Sequence, residues 1–534
     1  MPRLKSYCRP LIVALAAAPV LAAAQPTPSA NDIALINRVS WGATDALLSD
    51  VKRQGAEAWL QGQLHPRNGD HVPASVAAQI NALPALHKSP VQLAKEANDL
   101  FLNAQAEIKA ATPPPATASP VQQTAALNTL SPASTGLLIE RPQEVRRAYM
   151  RDVMRQTQTR HILRDLYSTD QLREQMSWFW FNHFNVYEQK GEVKLFLADY
   201  EDRALRPNAL GNFRTLLEAV LRSPSMLNYL DNAQNANGKI NENYAREIME
   251  LHTMGVGSGY SQKDVQELAR ILTGVSITRP AEAAHPLPRL ARGAIRDGMF
   301  AFYPARHDYG DKLFLGHIIK GSGYHEVEQA LDLLATNPAT AQHISKQLAQ
   351  YFVADSPPAA LVNTMAATFS ETHGEIAAVL DVMFHSPEFR ASLAQPLLKD
   401  PQHYVLSAVR MAYDDKPILN TTPIINWLTR LAEPLYGHVT PDGYAMDRSA
   451  WNGPGQIEQR FEIAQAIGNG AAGLFKGNEP SATAAPAFPK LQGALYYSGL
   501  AETLAPATRT ALAQSNSPQE WNILFLASPD FMRR

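Results

Sequence analysis

Cysteine is almost absent from this sequence, since Cys8 is the single cysteine among its 534 residues. Disulfides, thiolate zinc sites, iron–sulfur clusters, cysteine nucleophiles and c-type haem attachment all require cysteine. Cys8 falls in an N-terminal segment that we expect to be removed, so the mature chain excludes all of these. Any metal ion must therefore be bound by histidine, carboxylate, asparagine or backbone oxygen.

Long apolar runs are lacking after the N-terminal segment, and no later stretch approaches the roughly 20 consecutive apolar residues of a membrane helix. The N-terminal segment itself begins with basic residues, continues with an apolar run over residues 11–23 and has small residues at Ala22 and Ala24. This layout predicts a secretory signal peptide over residues 1–24. We therefore expect a periplasmic or secreted protein that begins near Gln25 and has no integral membrane segment.

A strong charge of either sign is also absent. Removal of the three basic residues of the signal segment from the 48 Lys and Arg of the chain leaves 45, against 50 Asp and Glu. So mild a balance gives no electrostatic reason to expect nucleic acid as a partner.

Several common catalytic motifs are missing as well. The sequence has no G-x-S-x-G nucleophile elbow, no H-E-x-x-H zinc motif and no phosphate-binding P-loop. A candidate site must therefore come from less familiar groupings of polar residues.

Helical periodicity is the main pattern that is present, with glycine and proline falling between the periodic runs. It predicts a mainly α, multi-helix fold, and the length allows either two to four ordinary domains or one large helical body. A Pro/Ala-rich tract at about 110–135 is predicted to be an exposed insertion. A small β-hairpin is predicted near residues 298–316, where apolar residues flank a polar turn.

His183 lies in the aromatic segment SWFWFNHF, residues 177–184. Aromatic side chains surround this helix on all sides, so we expect it to be buried around its whole circumference. At about 100° per residue, His183 shares a face with Met176, Phe179 and Trp180. The ring is either a hydrogen-bonded core histidine or part of a buried metal or acid–base site.

Residues 241–275, NENYAREIMELHTMGVGSGYSQKDVQELARILTGV, are the densest polar stretch. On a helical wheel Asn243, Glu247 and Glu250 form one stripe, while His252 lies in the middle of the opposite, apolar arc. The stripe either faces water or faces a cleft, where two carboxylates one turn apart would bind a cation or act as acid and base. The pattern differs from a Glu-x-x-His dimetal helix because Met249 precedes His252 by three residues.

A third polar group lies in RHDYGDK, residues 306–312, and contains His307 and Asp308. Polar side chains in a loop on a rigid scaffold are candidates for a site. An ordinary charged turn shaped by aspartate and glycine explains the same residues equally well.

Taken together, these segments resemble the bacterial family known as domain of unknown function 1800. The resemblance rests on MSWFWFNHFNV, RPNALGNFRTLLEAVLRSPSMLNYLDN, the stretch at 241–275, FYPARHDYGDKLFLG and the ending ASPDFMRR, in that order. It implies a single large helical domain over residues 25–534 in an exported or envelope-associated protein. Genes of the family often lie near that of a secreted sulfatase-related protein, which we expect as a partner, and the resemblance brings no reaction with it. The family usually has a histidine where this chain has Ser223, which would alter a site that used it.

The polar positions that match the family define our candidate site, a single pocket formed by the His183 helix, the Asn241–His252 helix and the His307 turn. We expect Glu247, Glu250, His307 and Asp308 to be catalytic, and His183, His252 and Asp231 to bind a divalent metal ion in a hydrolytic or oxidative enzyme. The alternative is a non-catalytic envelope or partner-binding scaffold in which these residues form a buried polar network. Haem bound through His183 or His252 is a third possibility.

Overall fold

The computed structural model describes residues 30–67, 69, 71–111, 132–278, 293–414, 416–477 and 487–534. The expected signal peptide and most of the expected insertion at 110–135 lie outside these residues. The described chain is mainly α-helical, as predicted.

The α-helices of five residues or more are numbered in chain order. They are α1 Ala30–Val39, α2 Asp45–Gln54, α3 Ala56–Leu64, α4 Ala74–Asn81, α5 Pro90–Ala111, α6 Pro132–Tyr167, α7 Gln171–His183, α8 Phe213–Leu221, α9 Pro224–Tyr229, α10 Asn243–Glu247, α11 Gln262–Ile271, α12 Tyr324–Ala335, α13 Pro338–Phe352, α14 Ala359–Glu371, α15 Ile376–His385, α16 Pro387–Leu393, α17 Pro401–Ala412, α18 Thr422–Arg430, α19 Pro454–Gly468, α20 Pro506–Ala513 and α21 Pro518–Leu526. The structure also has π-helical turns at Tyr200–Leu205, Ile248–His252 and Tyr496–Leu500.

Short antiparallel strands form two small sheets, and two of these strands lie within the segment 298–316, for which the sequence predicts one hairpin. Their bounds are β1 Val275–Ile277, β2 Ile295–Asp297, β3 Phe300–Phe302, β4 Lys312–Phe314 and β5 His317–Ile319. The apolar segments on either side of the RHDYGDK turn form β3 and β4, but these two strands do not pair with each other. Instead β3 lies between β1 and β2, and β4 pairs with β5. The 3₁₀ turn at Pro304–Arg306 ends β3 and separates the two sheets.

The buried apolar side chains form one continuous cluster that includes residues from Ile33 to Met532. A smaller cluster includes Leu93 of α5 and Phe196. Burial of apolar surface is the main favourable term in folding, so contacts that join the two ends of the chain hold the whole body together.

Helix α7 lies at the centre of this core. All of its residues except Asn182 are buried, as its all-round aromatic pattern predicts. Trp178 and Phe181 stack with ring centroids 5.6 Å apart, and Trp180 donates a 2.9 Å hydrogen bond from its indole nitrogen to the Ala209 carbonyl oxygen. A rigid helix of this kind can hold His183 in one fixed orientation.

Among the described residues, we find no helix with both the length and the apolar character needed to cross a membrane.

Candidate functional site

Helix α10 and the π-helical turn after it present two different faces, as the helical wheel predicts. Tyr244, Ile248 and His252 are buried, whereas Glu247 and Glu250 are partly exposed. The carboxylates and the histidine therefore belong to different surroundings and have to be considered separately.

Glu247 differs from the other carboxylates of the polar stripe because it has no partner. Arg246 donates to Glu242 over 3.1 Å and to Glu250 over 3.3 Å, one helical turn away on each side. Within the part of the chain that the structure describes, the Glu247 carboxylate makes no hydrogen bond or ion pair. The Glu247 carboxyl group is thus left without a partner and partly exposed to solvent.

The surroundings of Glu247 favour its protonated form. Burial raises the pKa of this carboxyl, and the negative charges of Glu250 and Asp442 raise it further, while Arg246 opposes them in part. Burial raises the pKa of the nearby Tyr229 hydroxyl, and the charges of Glu247 and Asp442 raise it further. Asp442 is therefore near enough to Glu247 and Tyr229 for its charge to act on both.

Three histidines surround the end of the π-helical turn. The ring centroid of His183 lies 6.0 Å from that of His252 and 6.3 Å from that of His343, which comes from α13. His183 Nε2 donates to the His252 carbonyl oxygen over 3.1 Å, and His343 Nε2 donates to the Leu251 carbonyl oxygen over 3.2 Å. These rings pair two carbonyl groups at the end of a helix, where no further turn supplies N–H donors.

Burial keeps these imidazoles neutral. It lowers the pKa of His183 to about 3, with a further contribution from His343, and it lowers the pKa of His252 well below the ordinary histidine value. Both ring nitrogens of His252 are buried without a hydrogen-bond partner among the described residues. His252 is therefore the most unusual of the three, because a buried polar group without a partner costs free energy.

A pocket of about 60 Å³ lies beside His183 and His343. Its walls come from α7, α13, the π-helical turn and the segment 442–446. They include Asn182, Gln347, Leu251, Asp442 and Tyr444. Glu247 does not line this pocket, but it lies one helical turn before Leu251, which does, and the charge of Asp442 in the pocket wall raises its pKa. We call the pocket and this adjoining surface the cleft.

Asn182 holds the segment 442–446 in place. Its side-chain oxygen accepts a 2.6 Å hydrogen bond from the Tyr444 N–H, and its side-chain nitrogen donates to the Tyr444 carbonyl oxygen over 2.9 Å. Gly443 lies directly against Asn182 with a φ of +73°, where a Cβ atom would overlap the Asn182 carbonyl oxygen. Glycine is required there by both space and backbone conformation.

His307 lies in a separate, fully buried network. Its Nε2 lies 2.9 Å from Glu326 Oε1 and its Nδ1 lies 2.7 Å from the Thr273 carbonyl oxygen. Lys312 forms an ion pair with the other Glu326 oxygen. Burial raises the pKa of Glu326, but His307 and Lys312 outweigh that effect and lower it overall. The pocket beside His183 is not lined by this turn, contrary to our expectation of a single pocket formed by all three motifs.

Asp308 is also fully engaged. Arg270 donates to its two carboxylate oxygens over 2.8 Å and 3.2 Å. This hydrogen bonding lowers the pKa of Asp308 to about 2. An ionised, bidentate carboxylate of this kind fixes the turn to α11.

Asp231 does not join His183 and His252 in a ligand set. Its carboxylate forms a 3.0 Å ion pair with Lys190, and its backbone has a φ of +60° at the end of α9. Among the described residues, no group of three or more histidine, cysteine, aspartate or glutamate side chains is arranged to hold a metal ion.

Ser223 acts as a helix cap. Its hydroxyl accepts a 3.2 Å hydrogen bond from the Ser225 N–H at the start of α9. Serine at this position has a local structural role that does not involve the histidine pocket.

Sequence reasoning missed His343 and Asp442, which complete the cleft. Neither lies in a polar-rich motif, and both reach the site only through tertiary packing.

Sequence reasoning also missed His161, which lies between Glu201 at 2.8 Å and Asp165 at 3.2 Å. Burial alone lowers the pKa of His161, but these carboxylates outweigh it and raise the pKa to about 10. The spacing of His161 and Asp165, four residues apart on one helix, is the sequence pattern that could have indicated this buried network.

The model of the family described as "Protein of unknown function (DUF1800)" matches residues 34–533 of the chain. No curated protein and no solved structure matches the chain.

Proposed function

We propose that this chain, which belongs to the DUF1800 family over nearly its whole length, is an exported enzyme that performs hydrolysis by acid–base catalysis at Glu247. One observation carries the proposal: Glu247 is an accessible carboxyl without a partner, and its pKa is raised beside a histidine-lined pocket. Carboxyl groups with raised pKa in a cleft are suited to give a proton to a leaving group or to take one from water.

The arrangement of charges supports a specific division of roles. Glu247 exchanges the proton, because burial and the charges of Glu250 and Asp442 raise its pKa. His183 and His343 shape the neutral floor of the pocket, since their Nε2 atoms are held by backbone carbonyls. Asp442 remains exposed and ready to contact a substrate at the mouth of the cleft.

Export is part of the same proposal. It is supported by the basic and then apolar N-terminal segment with small residues before Gln25. The charge balance of the remaining chain supports a partner other than nucleic acid. A secreted sulfatase-related protein encoded nearby is the partner that the family resemblance suggests.

The test is a panel of chromogenic glycosides, esters and phosphate esters offered to the exported protein. Wild type is compared with Glu247→Gln and with the matched variant Glu242→Gln, whose carboxylate is paired with Arg246. We expect Glu247→Gln to lose a hundredfold or more of the activity and Glu242→Gln to keep most of it, in line with the usual contribution of a general acid or base. Equal activity in all three proteins would overturn the proposal, and no activity in wild type would favour the scaffold alternative.

A metal at the histidine cluster is a second candidate, favoured by the two unpartnered ring nitrogens of His252. The fit is incomplete because His183 and His343 each use Nε2 for a carbonyl group, so we route no step through a metal. Elemental analysis of protein purified without chelator decides this point. Stoichiometric metal in wild type that is lost in His252→Leu would support the metal, and equal traces in both proteins would exclude it.

A further inference from the structure

Lys399 is a buried lysine in a part of the fold that the proposed active site does not use. Only 4% of its surface is exposed. Its backbone is fixed on both sides: its N–H donates to the Met532 carbonyl oxygen over 2.9 Å, and its carbonyl oxygen accepts a 2.7 Å bond from Arg460. The side chain therefore leaves a rigid segment in a defined direction.

The amine of Lys399 has no polar partner. It lies 3.8 Å from the centroid of the Phe531 ring. In the described part of the chain it makes no hydrogen bond, and no carboxylate forms an ion pair with it. Lysine is almost never fully buried without a partner, so this amine calls for an explanation.

The amine borders a largely apolar pocket of about 380 Å³. The apolar lining comes from α17, α21 and the segments around them, and includes Leu393, Met411, Leu500, Leu504 and Phe525. The wall also has polar residues, among them Asn37, Asp530 and Arg534. This volume lies within the range of small-molecule sites, which are mostly apolar and have a few polar groups that fix the orientation of a ligand.

The charges around Lys399 favour the neutral amine. Burial lowers its pKa well below the ordinary lysine value, and the positive charges of Arg460 and Arg534 lower it further, while Asp400 opposes them. A desolvated lysine beside other cations is a nucleophile at neutral pH, because the free amine carries the lone pair.

We propose that Lys399 forms a Schiff base with an aldehyde or ketone that has an apolar chain, bound in this pocket. The Nζ lone pair attacks the carbonyl carbon and the C=O π pair moves to oxygen, which takes a proton to give a carbinolamine. The C–N double bond then forms as the hydroxyl leaves, and the two amine hydrogens depart with the carbonyl oxygen as one water molecule. Nothing is oxidised or reduced in this step.

The experiment uses the full chain with hexanal and cyanoborohydride at pH 7, and peptide mass mapping measures the reductive alkylation of each lysine. Lys416 is the matched control, because its amine also lies over an aromatic ring, 4.2 Å from the centroid of Phe475, but its side chain is exposed. We expect Lys399 to react roughly tenfold faster or more, which corresponds to at least one unit of difference in pKa. Excess hexanol, which fills the pocket without a carbonyl group, should slow Lys399 and leave Lys416 unchanged.

Reaction of Lys399 at or below the rate of Lys416 would overturn the proposal. So would a fast reaction that hexanol does not slow, because the pocket would then play no part. Since wild-type protein is used throughout, neither result depends on whether a variant folds, and neither depends on the role of Glu247.

Discussion

At the scale of single residues, the polar side chains of this protein fall into two groups with different consequences for stability. Both ring nitrogens of His307 and of His161, and both carboxylate oxygens of Asp308, have hydrogen-bond or ion-pair partners. Glu247, His252 and Lys399 lack partners among the described residues. Groups of the second kind cost free energy in the fold, and protein sites often retain such costs where they serve a function.

Replacement of Glu247 by glutamine should raise the stability of the protein at neutral pH. The raised pKa of Glu247 means that ionisation is disfavoured in the folded state, so this carboxylate lowers the stability as pH rises through and above its unfolded pKa. Urea denaturation at pH 7 should show Glu247→Gln at least as stable as wild type. Glu250→Gln, which loses the ion pair with Arg246, should show no gain, and a clear loss in Glu247→Gln would contradict our account.

Acid should destabilise the protein through His183 and His252. Their folded pKa values are depressed, so the unfolded chain binds protons below about pH 6.5 that the folded chain does not. Between about pH 6.5 and pH 4, each neutral buried histidine should cost roughly 1.4 kcal/mol per pH unit. His252→Leu should reduce this slope, as measured by urea denaturation at several pH values.

The exposed His317 provides the control for that measurement. His317→Gln should leave the slope as in wild type, because this side chain contacts water in the folded protein as it does in the unfolded chain. An unchanged slope in His252→Leu would mean that His252 is already charged or solvated in the folded protein.

At the scale of elements, the sequence was sufficient to predict features that depend only on residues within the same helix. The all-round aromatic pattern of α7 predicted its burial, and the two faces of 243–252 followed from the helical wheel. The capping box of Ser261 and Asp264, three residues apart in the sequence, likewise begins α11. Each of these features depends on neighbours within a few residues.

Features that join distant elements could not be predicted in this way. The positions of β3 and β4 were predicted, but their partners depend on β1, β2 and β5 and on the 3₁₀ turn between the sheets. The cleft depends on His343 and Asp442, which come from 91 and 190 residues beyond His252. No local pattern marks side chains that meet only after the helices have packed.

The segment 442–446 should be sensitive to its single glycine. Gly443→Ala places a side chain at φ +73° against the Asn182 carbonyl oxygen, so we expect a loss of about 1–3 kcal/mol in the free energy of unfolding. In contrast, Gly62→Ala lies in α3 with open space around it and should stabilise by about 0.5–1 kcal/mol. Chemical denaturation of both variants checks the sign, and equal effects would contradict the role of Asn182 in holding this segment.

At the scale of the whole molecule, one apolar core includes residues from both ends of the described chain. Arg38 near the start donates to the Phe352 carbonyl oxygen over 2.6 Å, and Leu397 donates its N–H to the Arg534 carbonyl oxygen over 2.7 Å. Contacts of such long range fix the helices that bear the cleft in relation to one another. We therefore expect truncation at either end of this body to disturb both the cleft and the lysine pocket.

Export makes a prediction about the entire chain. After expression in a bacterium with a standard secretion system, the protein in the periplasmic fraction should begin at Gln25, because the small residues Ala22 and Ala24 precede it. N-terminal sequencing gives the answer. Arg3→Glu together with Lys5→Glu should leave the chain in the cytoplasm, and an intact Met1 in the periplasm would contradict the signal peptide.

The most direct test of our central claim is a titration of Glu247 itself. Carboxyl-labelled glutamate, observed by ¹³C NMR in wild type, Glu247→Gln and Asp442→Asn, gives the pKa of this one group by difference. We predict a pKa above the ordinary value of about 4.3 that falls when the charge of Asp442 is removed. A pKa at or below that ordinary value, unchanged in Asp442→Asn, would show that Glu247 is a solvated surface carboxylate and would contradict its role as the acid–base group.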